Sequence, residues 1–128
     1  MKNEEPTYLF TFLGTPVTGE PAAVVNPIVC AGLVIWLMER VSSTDLSLVR
    51  LQRGGSGAIA YEIADFAHVT GHILSAKYAG APMDQLYLTV PFPRTLYFDD
   101  EVSPVAHQLR AVGGPIASGL LFLVSLCG

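Results

Sequence analysis

Residues 54–79 read GGSGAIAYEIADFAHVTGHILSAKYA, and the folding of this stretch decides what the rest of the chain can be. Apolar and small residues fill most of it, including Ile59, Ala60, Ile63, Phe66, Ala67, Val69, Ile73 and Leu74. Glu62, Asp65, His68, His72 and Lys77 interrupt them. On a helix turning about 100° per residue with Asp65 at zero, Glu62 falls near +60°, His72 near −20° and His68 near −60°. The four side chains share an arc roughly 120° wide, and the remaining circumference is apolar or small. A polar stripe on an otherwise lipid-compatible helix must face protein or a wet cavity.

The flanking sequence agrees with a membrane setting. The chain has 128 residues, enough for one domain spanning 1–128; apolar residues make up 51% and charged residues 14%, and the mean hydropathy is +0.46. Soluble domains carry about 25% charged residues, and a small domain needs them because much of its surface stays in water. A bilayer crossing takes about 20 mostly apolar residues. Pro21 to Met38 has no charge before Glu39 and Arg40, with Trp36 near the boundary and Pro27 inside; Ala111 to Gly128 is also uncharged. With 54–79, these predict three membrane helices, about 21–38, 54–79 and 111–128, in a multi-pass integral membrane protein. In the last, Gly113, Gly114, Pro115 and Ser118 mark a face on which another helix can approach closely.

Leu86 to Val90 and Thr95 to Phe98 are strand-like runs around Pro91-Phe92-Pro93-Arg94, which predicts one short hairpin over 86–98. The expected fold is therefore all-α, three helices with that hairpin between the second and third. Leu46, Val49 and Arg50 have the spacing of a short interfacial helix, and Asp99-Asp100-Glu101 leads to Pro104, a natural helix start. Lys77 fits a residue reaching for the membrane edge, and His107, in a polar stretch, an exposed position. A net charge of −4 without a basic run excludes binding nucleic acid by phosphate neutralisation. Cys30 and Cys127 lie in apolar stretches and read as small buried hydrophobes; no secretory leader is expected from the acidic start.

Two histidines one helical turn apart suit shared coordination of a zinc ion. In H-E-x-x-H, the glutamate after the first histidine is the general base toward metal-bound water. Here the five residues are His68-Val69-Thr70-Gly71-His72, and valine cannot take a proton. The run from His68 through Lys77 to Gly80-Ala81-Pro82 resembles the signature of the site-2 proteases, intramembrane zinc metalloproteases. Ala111-Val112-Gly113-Gly114-Pro115-Ile116-Ala117-Ser118 is similar to that family's Ala-Gly-Pro segment, and Phe12-Leu13-Gly14-Thr15-Pro16-Val17 to its Gly-x-Pro strand. The resemblance implies His68 and His72 as metal ligands and a strand region, here 86–98, beside which an extended segment adds by β-pairing. It also implies a third ligand, an aspartate on a later membrane helix, to which nothing in residues 1–128 corresponds. Asp65 is a poor substitute, since it sits about 10.5 Å along the helix from His72. A supporting hydrogen bond to His68 suits Asp65 or Glu62 better.

With base and third ligand missing, the resemblance points to an inactive homologue, a structural subunit partnering other membrane proteins and lipid. No cofactor is then required, and Glu62, Asp65, His68 and His72 form an internal polar network. Two alternatives stand beside it: zinc held by His68 and His72, structural or completed into a protease by a partner chain, and a haem- or chlorophyll-type ring on either histidine, with Ala64 and Ala67 leaving room.

Overall fold

A computed structural model describes residues 6–41, 47–89, 93–99 and 101–127. Its first elements are strands. β1 (Thr7–Phe12) and β2 (Thr15–Gly19) form an antiparallel hairpin, with a register shift between Tyr8 and Phe10. Threonines and aromatics suit extended chain. The two-residue turn has positive φ at both Leu13 (48°) and Gly14 (77°), the backbone twist that tight hairpins favour. Glycine adopts this without strain; Leu13 is held there by the Lys77 ammonium, which donates to its carbonyl. Lys77 thus ties the hairpin to a helix.

A 3-10 turn (Pro21–Val24) leads into α1 (Val25–Val41), and the long α2 runs over Ser47–Tyr78. Of the expected interfacial helix, Leu46 lies outside the described residues and Ser47 onward belongs to α2. The 32 residues of α2 span about 48 Å. A Schellman motif ends it: Gly80 at φ 69°, Ala81 N–H on the Ala76 carbonyl at 3.1 Å, and Gly80 N–H on Lys77 at 3.0 Å.

β3 (Gln85–Leu88) and β4 (Arg94–Leu96) follow, antiparallel to each other; residues 90–92 of the expected hairpin lie outside the described residues. β3 also pairs in parallel with β2, Val17 opposite Leu86 and Gly19 opposite Leu88, so the sheet order is β1-β2-β3-β4. The Glu20 N–H extends that pairing to the Leu88 carbonyl, and Tyr87 donates to the Glu20 carboxylate at 2.9 Å. α3 (Pro104–Cys127) closes the chain, capped by Ser103 Oγ accepting from Ala106 N–H at 3.2 Å with Pro104 at the first helical position.

The all-α expectation is thus corrected. The chain is mixed α/β: among the described residues it has three helices and a four-stranded mixed sheet. The expected hairpin is half of that sheet, and its other half is residues 7–19. One side of the sheet packs on α2, where Val69, Ile73 and Ala76 meet Val17, Met83 and Leu86 in the core.

The count of membrane helices changes too. Among the described residues, two helices are long and apolar enough to cross a membrane, Pro21–Val41 and Pro104–Cys127. The stripe residues and Lys77 lie on α2, which is not one of them. The two that qualify expose apolar side chains along their length, among them Ile28, Leu33 and Trp36 on α1 and Ile116, Leu120 and Leu123 on α3. Cys30 is half-buried, whereas Cys127 is exposed, unlike the buried position expected for it.

Candidate functional site

The polar stripe of α2 splits between two neighbours. His68 and His72 turn toward α3, while Glu62 and Asp65 turn toward the sheet, lining a pocket of about 200 Å³ walled by Phe10, Phe12, Phe66 and Leu86. Among the described residues, neither carboxylate is hydrogen-bonded to an imidazole. The stripe is one arc on the helix and two places in the molecule.

α2 and α3 meet where side chains are small. A Cβ built on Gly71 would lie 2.6 Å from Ala117 Cβ and overlap the Gly113 carbonyl. One on Gly113 would overlap Ser75, and one on Gly114 would overlap both imidazoles, at 2.6 Å from His68 Nε2. Only glycine lets the helices approach this far. Of the residues expected to pack against another helix, Gly113, Gly114 and Ser118 are spent inside the chain on α2; Pro115, also in α3, is exposed.

Within this seam, His68 Nε2 and His72 Nε2 lie 3.1 Å apart, with the rings edge to face. His68 Nδ1 is 2.9 Å from Ser118 Oγ, and His72 Nδ1 is 2.8 Å from the Arg110 carbonyl. The chemistry of the last partner orders the others. A carbonyl only accepts, so His72 Nδ1 carries the hydrogen and its Nε2 offers a lone pair. His68 Nε2 then donates, and His68 Nδ1 accepts from the Ser118 hydroxyl. Four groups form one directed chain with every ring nitrogen satisfied: Ser118 to His68 to His72 to Arg110.

The pair also has part of a metal site's geometry. Two bonds of about 2.0–2.1 Å to a tetrahedral ion place the nitrogens roughly 3.3 Å apart, close to the observed separation. The Nδ1 partners are of the kind that orient metal-bound imidazoles. The space between the Nε2 atoms, however, is bounded by Gly114, which has no donor side chain. Among the described residues, no three His, Cys, Asp or Glu side chains are placed to share an ion. The two imidazoles therefore fall short of the three protein ligands of a catalytic zinc. Val69, at the position of the general base, points into the core beneath the sheet.

The site's least expected member is Arg110. Its side chain is 3% exposed, its Nε donates to the Ala81 carbonyl at 2.7 Å, and its two terminal nitrogens grip the Asp99 carboxylate. The guanidinium lies 4.2 Å from the centre of the Tyr97 ring. Hydrogen bonding from Arg110 holds the Asp99 carboxyl below its usual range, and burial raises the Tyr97 phenol. The signal in the sequence was an arginine one residue before an apolar run, with an acidic cluster upstream. His107 is exposed near the same ion pair.

No protein-family model, curated protein or solved structure matches this chain.

Proposed function

We propose that the chain is a non-catalytic relative of the site-2 proteases, acting as a structural subunit of a membrane protein complex. The observation that carries this reading is the closed seam. His68 and His72 spend their nitrogens on each other, Ser118 and the Arg110 backbone, so they hold α2 to α3. Val69 supports it, because a core position beneath the sheet is a poor place for a charged base. The apolar outer faces of α1 and α3 supply the surface that lipid and partner helices cover, in a chain crossing the membrane more than once. β4 ends the sheet, and its outer edge is where a partner's extended segment adds by β-pairing.

The test is purification in mild detergent. Stoichiometric co-purification of other membrane proteins is expected; a stable chain obtained alone would defeat the reading.

A second reading is favoured by the 3.1 Å approach of the two Nε2 atoms: a zinc site that a partner chain completes. Zinc held there would supply a Lewis acid and a polarised water. Elemental analysis of the intact complex decides it. One zinc per chain, lost in His68→Ala, upholds this second reading, and sub-stoichiometric zinc removes it.

A further inference from the structure

A hollow of about 230 Å³ lies where α2, the end of β4 and α3 converge, lined by His72, Thr95, Tyr97, His107, Arg110 and Ala111. At about 30 Å³ per water molecule, it has room for roughly seven waters, more than a single monatomic ion fills. Its polar lining consists mostly of donors. Thr95 and Tyr97 bring hydroxyls, and His107 brings an exposed imidazole. Arg110 has five N–H groups, of which one goes to Ala81 and two to Asp99, leaving two. Among the described residues, no carboxylate lines the hollow. Asp99 lines a separate acidic hollow with Asp84 and Glu101, so Arg110 forms a wall between the two.

Its position along α3 adds a second argument. The helix's charged and amide side chains, His107, Gln108 and Arg110, stand in its first two turns beside Val105 and Leu109, and from Ala111 onward the exposed surface is apolar or small, with Pro115 and Phe122 on the hollow's side. In a helix that crosses a bilayer, this change marks the headgroup level. The hollow opens at that level.

We propose that this hollow is an oxyanion-binding site, and that the phosphate of a membrane phospholipid is the group it holds. Thr95, His107 and the two remaining Arg110 N–H groups donate to the phosphate oxygens, and the lipid's apolar body lies along Pro115 and Phe122, which share His107's side of α3. Asp99 cancels most of the guanidinium's net charge, so recognition comes from hydrogen-bond direction, and the salt dependence of binding is shallow. The lipid as source rests on the membrane reading above; the oxyanion site rests on the hollow alone.

The test uses the full chain in detergent micelles, titrated with short-chain phosphatidylglycerol, with diacylglycerol of the same chain length, and with inorganic phosphate. Phosphatidylglycerol should bind and diacylglycerol should not. Each charge-assisted hydrogen bond removed should cost about tenfold in affinity, so Thr95→Val with His107→Ala should weaken binding roughly a hundredfold. Both positions lie away from the core, and each of the two single variants gives an independent single-bond loss. Unchanged affinity in these variants, or equal binding of diacylglycerol, overturns the proposal. Tight binding of inorganic phosphate with no preference for the lipid upholds the oxyanion site and overturns the lipid as its source. Alkaline extraction of native membranes reports the membrane reading separately: a chain released by it that still binds phosphate keeps the site and loses the lipid.

Discussion

The two faces of α2 solve the same problem by different means. Toward the sheet, Val69, Ile73 and Ala76 bury apolar side chains against Val17, Met83 and Leu86, as in a water-soluble core. Toward α3 the contact consists of glycine backbone, two imidazoles and a serine, with close approach and hydrogen bonds replacing buried hydrophobes. That is how helices associate where the surroundings are as apolar as leucine. A single helix therefore joins a water-type interface to a membrane-type one. The functional polar groups sit on the second face because there every imidazole nitrogen can find a partner.

The largest effect should come from breaking the glycine seam. Gly71→Leu puts a side chain where even a Cβ overlaps the Gly113 carbonyl, so the helices must separate. A loss of about 3 kcal/mol or more is expected, at the upper end of overpacking costs. It is read as detergent-dependent unfolding together with solvent exposure of the histidines. If Gly71→Leu melts like the wild type, the seam does not hold the protein together.

The matching probe of the other face is Ile73→Ala. Ile73 is fully buried beneath the sheet, and truncation should cost about 3 kcal/mol. The distinguishing outcome is where the damage spreads. Hydrogen exchange should rise in β1–β3 and stay low at His68 and His72. Equal loosening of both faces would show one cooperative unit rather than two interfaces.

Next in size is the ion pair at the head of α3. Arg110→Ala strips the carboxylate of its partner and Tyr97 of its stacked cation. Because the Asp99 side chain is 34% exposed, the loss is expected to be smaller than for a fully buried pair and smaller than in either core variant. The pH dependence has a fixed sign. Asp99 titrates lower in the folded chain than in the unfolded one, so its contribution is present above the unfolded pKa and is lost as pH falls through the folded one. Melting at acidic pH, below about 4, should show this loss in the wild type and lack it in Asp99→Asn.

The unequal legibility of the two faces has a physical cause. The polar arc of α2 and the glycines of α3 follow from helical periodicity alone, because each signal is local. Residues 7–19 were harder to place. The parallel pairing of Val17 with Leu86 is set by tertiary packing across 69 positions, and no local pattern announces it. Only the resemblance of residues 12–17 to a strand marked part of this hairpin, and its pairing partners were not legible. The division of the stripe was hidden for the same reason: a helical wheel shows that Glu62 and His68 share an arc but not that two different neighbours divide it. Arg110 was missed because its partners, Asp99 and the Ala81 carbonyl, lie in loops whose course follows from the sheet.

The smallest effect is the most discriminating. Ser118→Ala removes one end of the directed chain and should cost about 1 kcal/mol, the value of a typical hydrogen bond. The sharper result is in the imidazole tautomers. In the metal-free seam, His72 carries its hydrogen on Nδ1 and His68 on Nε2, with Ser118 donating. If a zinc sits between the rings, both Nε2 atoms are bare, both Nδ1 atoms carry hydrogen, and Ser118 accepts instead. Nitrogen-15 shifts of His68 therefore separate the structural reading from the zinc reading. Removing Ser118 frees His68 to change tautomer only where no metal pins it. A wild-type His68 protonated at Nδ1 alone would show that the α3 face of α2 is a metal site after all, and the contrast between its two faces would become one between a core and a cofactor.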